Sequence, residues 1–145
     1  MRKLTFAIVA LALAAVAAEK KIDVKKLPPA VKATVEKESK GAQMKGVSKE
    51  VENGKTTYEL ETVVGGKTRD LIIGEDGKVL IVEQEVTLDS IPAAAKAAIE
   101  KLATGGKITK VETITKDNTV TYEAIIRKGK KDSEVVVDAQ GAAQK

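Results

Sequence analysis

Nucleophilic catalysis needs a hydroxyl or thiol held beside a base, and this sequence contains neither histidine nor cysteine. Its serines are Ser39, Ser48, Ser90 and Ser133, and none sits in a Gly-x-Ser-x-Gly elbow. Carboxylates are the remaining acid–base candidates. Glu59 with Glu61, and Glu83 with Glu85, are spaced by two residues, which puts each pair on one face of a strand. Nothing around them predicts the desolvation that would shift a carboxyl pKa, so both pairs read as a solvated strand face. Zinc sites rely on Cys and His, and no EF-hand loop spacing is present. The acidic run Glu75-Asp76-Gly77 could hold calcium weakly, but Asp-Gly already has a conformational reason to be in a hairpin turn. The expectation is no catalytic residue, no metal ligand and no cofactor.

Two other residue types could serve binding. The dense basic groups are Lys20, Lys21, Lys25 and Lys26, and Lys128, Lys130 and Lys131. With no interleaved aromatic residues for stacking, they read as a solvated terminus and a hairpin tip, with Lys130 a candidate partner contact. Tyr58 and Tyr122 read as matched core residues under two helices; their functional alternative is as anchors for a partner, because tyrosine is enriched at interface hot spots. The formal net charge is +4. Removing Arg2 and Lys3, which lie in a leader, from the 25 basic groups leaves 23 against 21 acidic ones, or +2. That is too little to capture a phosphate backbone, and no nucleic-acid partner is expected.

The leader itself has three parts. Met1, Arg2 and Lys3 make a positive head, residues 4–16 are apolar except for Thr5, and Ala15, Ala17 and Ala18 supply small residues for cleavage before Ala18 or Glu19. The apolar run is shorter than the roughly 20 residues of a spanning helix, and without cysteine there is no lipobox. The sequence therefore predicts a signal peptide at 1–18, a mature domain at 19–145, a periplasmic or secreted destination, and no stable membrane insertion once the leader is gone.

The elements that must position these residues are doubled. At an offset of 64, Leu27-Pro28-Pro29-Ala30-Val31-Lys32-Ala33 falls on Ile91-Pro92-Ala93-Ala94-Ala95-Lys96-Ala97, Gly41 on Gly105, Thr57-Tyr58-Glu59 on Thr121-Tyr122-Glu123, and Gly77 on Gly141. Fixed-period self-similarity marks a repeated supersecondary unit, here a first repeat at 27–86 and a second at 91–141. Each opens with a helix signal, proline followed by good helix formers. Ile91, Ala95, Ala98, Ile99 and Leu102 form one apolar stripe, with Asp89 or Ser90 the expected cap. Period-two strands follow, as in Tyr58, Leu60, Thr62 and Val64, divided by Asn53-Gly54, Gly65-Gly66, Asp76-Gly77 and Asp117-Asn118. The segments 44–51 and 108–115 alternate poorly. The second repeat lacks the strong strand Val79-Leu80-Ile81-Val82, so the duplication is incomplete. The fold class expected is α+β: a tandem repeat of helix plus antiparallel strands giving a sheet of about seven strands, with two helices on one face and the other face solvated or binding something.

The Leu27–Ala33 run, the glycine ending the helix, the tyrosine strand and Glu75-Asp76-Gly77-Lys78 together resemble the PepSY-like family, also described as beta-lactamase-inhibitor-like. The second repeat carries the likeness through Ile91–Ala97, Tyr122 and Gly141. The resemblance implies a small exported α+β module, with inhibition of peptidases or other enzymes among relatives and no catalytic residue to transfer. Beta-lactamase inhibitors present an aromatic-rich sheet, whereas this mature chain offers only Tyr58 and Tyr122. The expected function is a non-catalytic binding module, inhibitor-like toward an extracytoplasmic peptidase or other enzyme, with a protein partner. The alternative is a structural or ligand- and ion-sensing envelope protein.

Overall fold

The computed structural model describes residues 20–144; the expected leader and its cleavage point lie outside the described residues. Eight strands form one sheet, and every neighbouring pair is antiparallel and adjacent in the chain. They are β1 (Lys20–Lys21), β2 (Gln43–Glu52), β3 (Lys55–Val64), β4 (Lys67–Gly74), β5 (Val79–Glu85), β6 (Lys107–Lys116), β7 (Thr119–Lys128) and β8 (Lys131–Val137). Helix α1 (Pro29–Glu38) joins β1 to β2, and α2 (Ala93–Leu102) joins β5 to β6. The class is α+β, with eight strands rather than about seven. The additional one is β1: the basic terminus, exposed at both lysines, also pairs with the edge of β2, Lys20 opposite Lys49 and Lys21 opposite Ser48. A two-residue edge strand of lysines is a poor template for further pairing.

The elements recur at the spacing read from the sequence. Helices α1 and α2 start 64 residues apart, as do β2 and β6, and β3 and β7. The turns at Asn53-Gly54 and Asp117-Asn118 have positive φ at both central residues, the backbone that matches strand twist in a two-residue hairpin. Both β2 and β6 carry a bulge at the same place, between Met44 and Gly46 and between Ile108 and Lys110. One inserted residue reverses the phase of side-chain alternation, which is why these two strands alternate poorly in sequence. In the second half β5 has only a vestige: Ala143 bridges Val137 as Val79 pairs with Ile73, and the Asp138 N–H donates to the Ala142 carbonyl at 3.0 Å as Gly74 does to Lys78 at 2.9 Å.

Directly opposed residues in an antiparallel pair share a face, so the register assigns every side chain. From Val47 through Leu60, Leu71 and Val82, then from Val82 to Thr115 and along β6 to Val111, Ala124 and Val135, one face runs unbroken. Leu27, Val31 and Val35 around α1 pack with Val47, Tyr58, Leu60, Leu71 and Ile73 on that face. Ile91, Ala95 and Ile99 around α2 pack with Val111, Ala124 and Val137 on it too. Full burial of each such aliphatic side chain is worth about 1.5–3 kcal/mol.

Two local expectations need correction. Leu102 lies on the predicted stripe but is 42% exposed, while Ala103 beside it is 6% exposed and takes the core position. Neither Asp89 nor Ser90 caps α2: both belong to a 3-10 turn (Leu88–Ser90), Pro92 occupies the N-cap without a side-chain bond, and Asp89 reaches Lys96 at 2.7 Å instead.

The turns after β4 and β8 touch the helices through glycine. A Cβ at Gly77 would lie 2.7 Å from the Ala30 carbonyl oxygen and one at Gly141 2.6 Å from that of Ala94, both at φ above +80°. Thr34 Oγ1 also donates to the Gly77 carbonyl at 2.6 Å, tying the first turn down. Gly77→Ala therefore combines a left-handed backbone with a backbone clash, and should cost about 2–4 kcal/mol; a lowered urea midpoint checks this, and an unchanged one would refute the contact.

Candidate functional site

The face opposite the helices has no helix packed on it among the described residues. The parity that buries Tyr58, Leu60 and Thr62 turns Glu59 and Glu61 to this side, and the register then lines up acids across strands. Glu61 lies opposite Asp70 and Asp70 opposite Glu83, a row over β3, β4 and β5. Glu85 lies opposite Glu112 and Glu112 opposite Glu123, a row over β5, β6 and β7. Glu134 on β8 faces Ile125 beside the second row. Like charges directly opposed across strands destabilise a sheet, so local compensation matters.

Compensation is centred on β6. Lys110 Nζ lies 2.6 Å from Glu112 Oε1, and Glu112, on an uncovered face, is only 6% exposed. Thr68 adds its backbone N–H to Glu85 Oε2 at 3.0 Å, with its hydroxyl 3.2 Å from the same oxygen and 3.4 Å from Glu112 Oε1. The Thr68 bonds hold the Glu85 carboxyl below its usual range. Burial alone would lower the Lys110 ammonium, but its bond to Glu112 and the charges of Glu112, Asp70 and Glu85 outweigh that and raise it.

The other acids respond oppositely. Desolvation first, then the charges of Glu112 and Asp70, pushes Glu83 up to about 7. Desolvation and the charges of Glu134, Glu83 and Glu112 push Glu123 up to about 7 as well. Asp70 is raised mainly by burial, against an opposing bond from the Thr62 N–H. The aliphatic side chains of Ile72, Ile81, Ile114 and Ile125, interleaved with the acids on this face, supply low-dielectric surroundings. The array can hold protons and present negative charge. Among the described residues no three Asp or Glu side chains gather closely enough to hold a metal ion.

The residues singled out from sequence do not assemble here. Tyr58 is 3% exposed inside the first core cluster, the first of the two readings given to it: its strand position points it beneath α1. Tyr122, at the equivalent place on β7, is half-buried against the second cluster. Lys130 is exposed at the β7–β8 hairpin tip, next to the bidentate Arg127–Asp132 pair at 2.7 Å. Of the carboxylate pairs, Glu59 with Glu61 and Glu83 with Glu85 do share the helix-free face, but Glu83 is not the solvated group expected. Asp70, Lys110, Glu112 and Glu123 carried no signal in the sequence, because their neighbours come from other strands.

No protein-family profile matches this chain, and no curated protein sequence does. Solved structures do. A proposed periplasmic protein of Bacteroides eggerthii is similar with a TM-score of 0.67 at 16% identity, over 82% of this chain and 86% of its own. A DUF2874 family protein of Bacteroides ovatus gives 0.63 at 16%, over 82% and 85%. A BLIP-like protein of Bacteroides fragilis gives 0.58 at 16%, over 80% and 82%. Likeness at this identity establishes the fold, one shared with a beta-lactamase-inhibitor-like protein. No helix among the described residues is long and apolar enough to cross a membrane.

Removing Lys110, the cation in contact with Glu112, leaves a buried carboxylate opposed by two others. Lys110→Met should destabilise the fold by about 1–3 kcal/mol at neutral pH, discounted because the lysine is partly exposed. Lys110→Met with Glu112→Gln should recover most of the loss. Urea denaturation of the three proteins reads this directly, and a neutral Lys110→Met would remove the pair from any structural role.

Proposed function

We propose that this chain is an exported, non-catalytic binding module of the PepSY-like, beta-lactamase-inhibitor-like kind, whose helix-free sheet face receives a protein partner bearing cationic side chains. The single observation that carries the reading is the asymmetry of the sheet: two helices cover one face, and the other carries opposed rows of carboxylates, with Lys110 seated among them and Lys107, Lys116 and Arg127 toward the strand ends. A row of anions with low-dielectric side chains between them attracts and orients a basic surface more than it adds raw affinity.

Three further features support export and the absence of catalysis. The N-terminal residues have the composition of a cleavable leader. The chain has no cysteine or histidine, so the usual activated nucleophiles have no base. Solved proteins of like fold include one proposed to be periplasmic and one that is BLIP-like. Inhibition of a peptidase or other enzyme would follow from the docked face occluding the partner's cleft. Lys130, exposed at a hairpin tip, would contact that partner only at the rim, where a single charge contributes little.

Purified mature protein titrated against a panel of exported peptidases and beta-lactamases tests the reading, with binding and residual enzyme activity both measured. Glu61→Lys combined with Glu134→Lys reverses charge at the margins of the face and should weaken any complex about tenfold or more, chiefly through slower association. Undiminished binding by that variant, or no binding partner anywhere in the panel, would overturn it.

A further inference from the structure

The two opposed carboxylate rows converge at one place in the fold. Glu83 and Glu85 lie on β5 and Glu112 on β6, and the β5–β6 ladder is what joins the strands under α1 to those under α2. That ladder is short: its paired residues run from Ile81 opposite Lys116 to Glu85 opposite Glu112, against ten-residue strands on either side of each hairpin in β2–β3 and β6–β7. We propose that the β5–β6 seam is a pH-sensitive junction, firm while carboxyls on the strands flanking it keep their protons and weakened when those protons leave.

The charged groups around the seam bear on this, among them Lys67 at the start of β4, whose charge acts on Glu85. From β4 comes Asp70, opposite Glu83. From β6 come Glu112 and Lys110, joined to each other, and Lys116 at the far end opposite Ile81. From β7 comes Glu123, opposite Glu112, and from β8 Glu134. Glu61 on β3 extends the row through Asp70. Lys110 contacts Glu112, and its charge opposes the rise at Glu83 and Glu123 without cancelling it. Carboxylates that share a site without enough cations cannot all ionise together. The raised Glu83 and Glu123 carboxyls, both near 7, agree with this placement, on strands either side of β6.

The sign follows from proton linkage. Unfolded, these two groups would titrate near 4.5; folded, they keep their protons to about 7. Between those values the native state binds more protons than the unfolded chain, so stability falls as pH rises through this window. The contribution is fully present below about 4.5 and lost above about 7. The groups titrate as a coupled set rather than as two independent sites.

The test uses the mature protein alone, so its outcome is separate from whether any partner binds. Carboxyl-resolved NMR titration should give midpoints for Glu83 and Glu123 near 7, well above the ordinary glutamate range. The unfolding equilibrium constant should rise about tenfold or more between pH 5.5 and 8. At the upper pH, amide protection factors should drop along residues 81–85 and 112–116 while β2–β3 keeps its protection. Glu83→Gln with Glu123→Gln should flatten the pH dependence and restore seam protection at pH 8. Ordinary carboxyl midpoints, a loss of protection spread evenly over the sheet, or restoration of the acid-state spectrum at pH 8 by millimolar calcium would each overturn the proposal. The titration of the unsubstituted protein decides the matter even if the double variant fails to fold.

Discussion

The register of the antiparallel meander is the constraint on which everything else in this molecule depends. Each strand alternates its side chains, and each pair places opposed residues on the same side. Once Leu60 and Leu71 are fixed under α1, the direction of every residue from β2 to β8 follows, apart from the phase reversals at the three bulges. A one-residue slip at any hairpin would send a row of aliphatic side chains to the uncovered face. The turns prevent this: positive φ at Asn53-Gly54, Gly65-Gly66 and Asp117-Asn118 sets the two-residue loops that fix hairpin register.

That same constraint concentrates charge. With the aliphatic residues of one parity buried, the acids of the other parity have nowhere to go but the opposite face, where register stacks them across strands instead of scattering them. The sheet carries the resulting repulsion with one intimate lysine pair, bonds from Thr68, and carboxyls whose affinity for protons is raised. Stability and surface chemistry are therefore not separable on this face. A substitution meant to alter what it binds also alters how the seam between the two helix-bearing parts holds.

The helices are held by fewer contacts than the strands, which gives the glycines their weight. Gly77 and Gly141 let a turn approach the first turn of α1 and α2 more closely than any side chain would permit. Beyond these points the first half has β5, which continues into the seam, while the second half has only the Ala143 bridge. The outer edge of β8 is thus paired only near its end, whereas β4 is paired along its length.

Much of this fold is legible in the sequence. The 64-residue offset locates both helices, because proline and alanine followed by an apolar stripe leave few alternatives, and the Asn-Gly and Gly-Gly pairs locate hairpins through the backbone they require. Strands such as Tyr58-Glu59-Leu60-Glu61-Thr62 declare their two faces by alternation alone. The bulges could not be read, since an inserted residue erases the alternation by which a strand is recognised, and β1 was hidden because two lysines have no strand pattern. The acidic face was only half visible: Glu59 with Glu61 and Glu83 with Glu85 are neighbours along a strand. Their opposition to Asp70, Glu112 and Glu123 is decided by pairing between strands 9 to 27 residues apart. The sequence determined the two helices and the strands that alternate cleanly, β3 and β7 above all, and local propensity suffices for that. Only the assembled sheet decided which carboxylates face one another and how far each is desolvated, because electrostatic coupling depends on distance through space and not on separation along the chain.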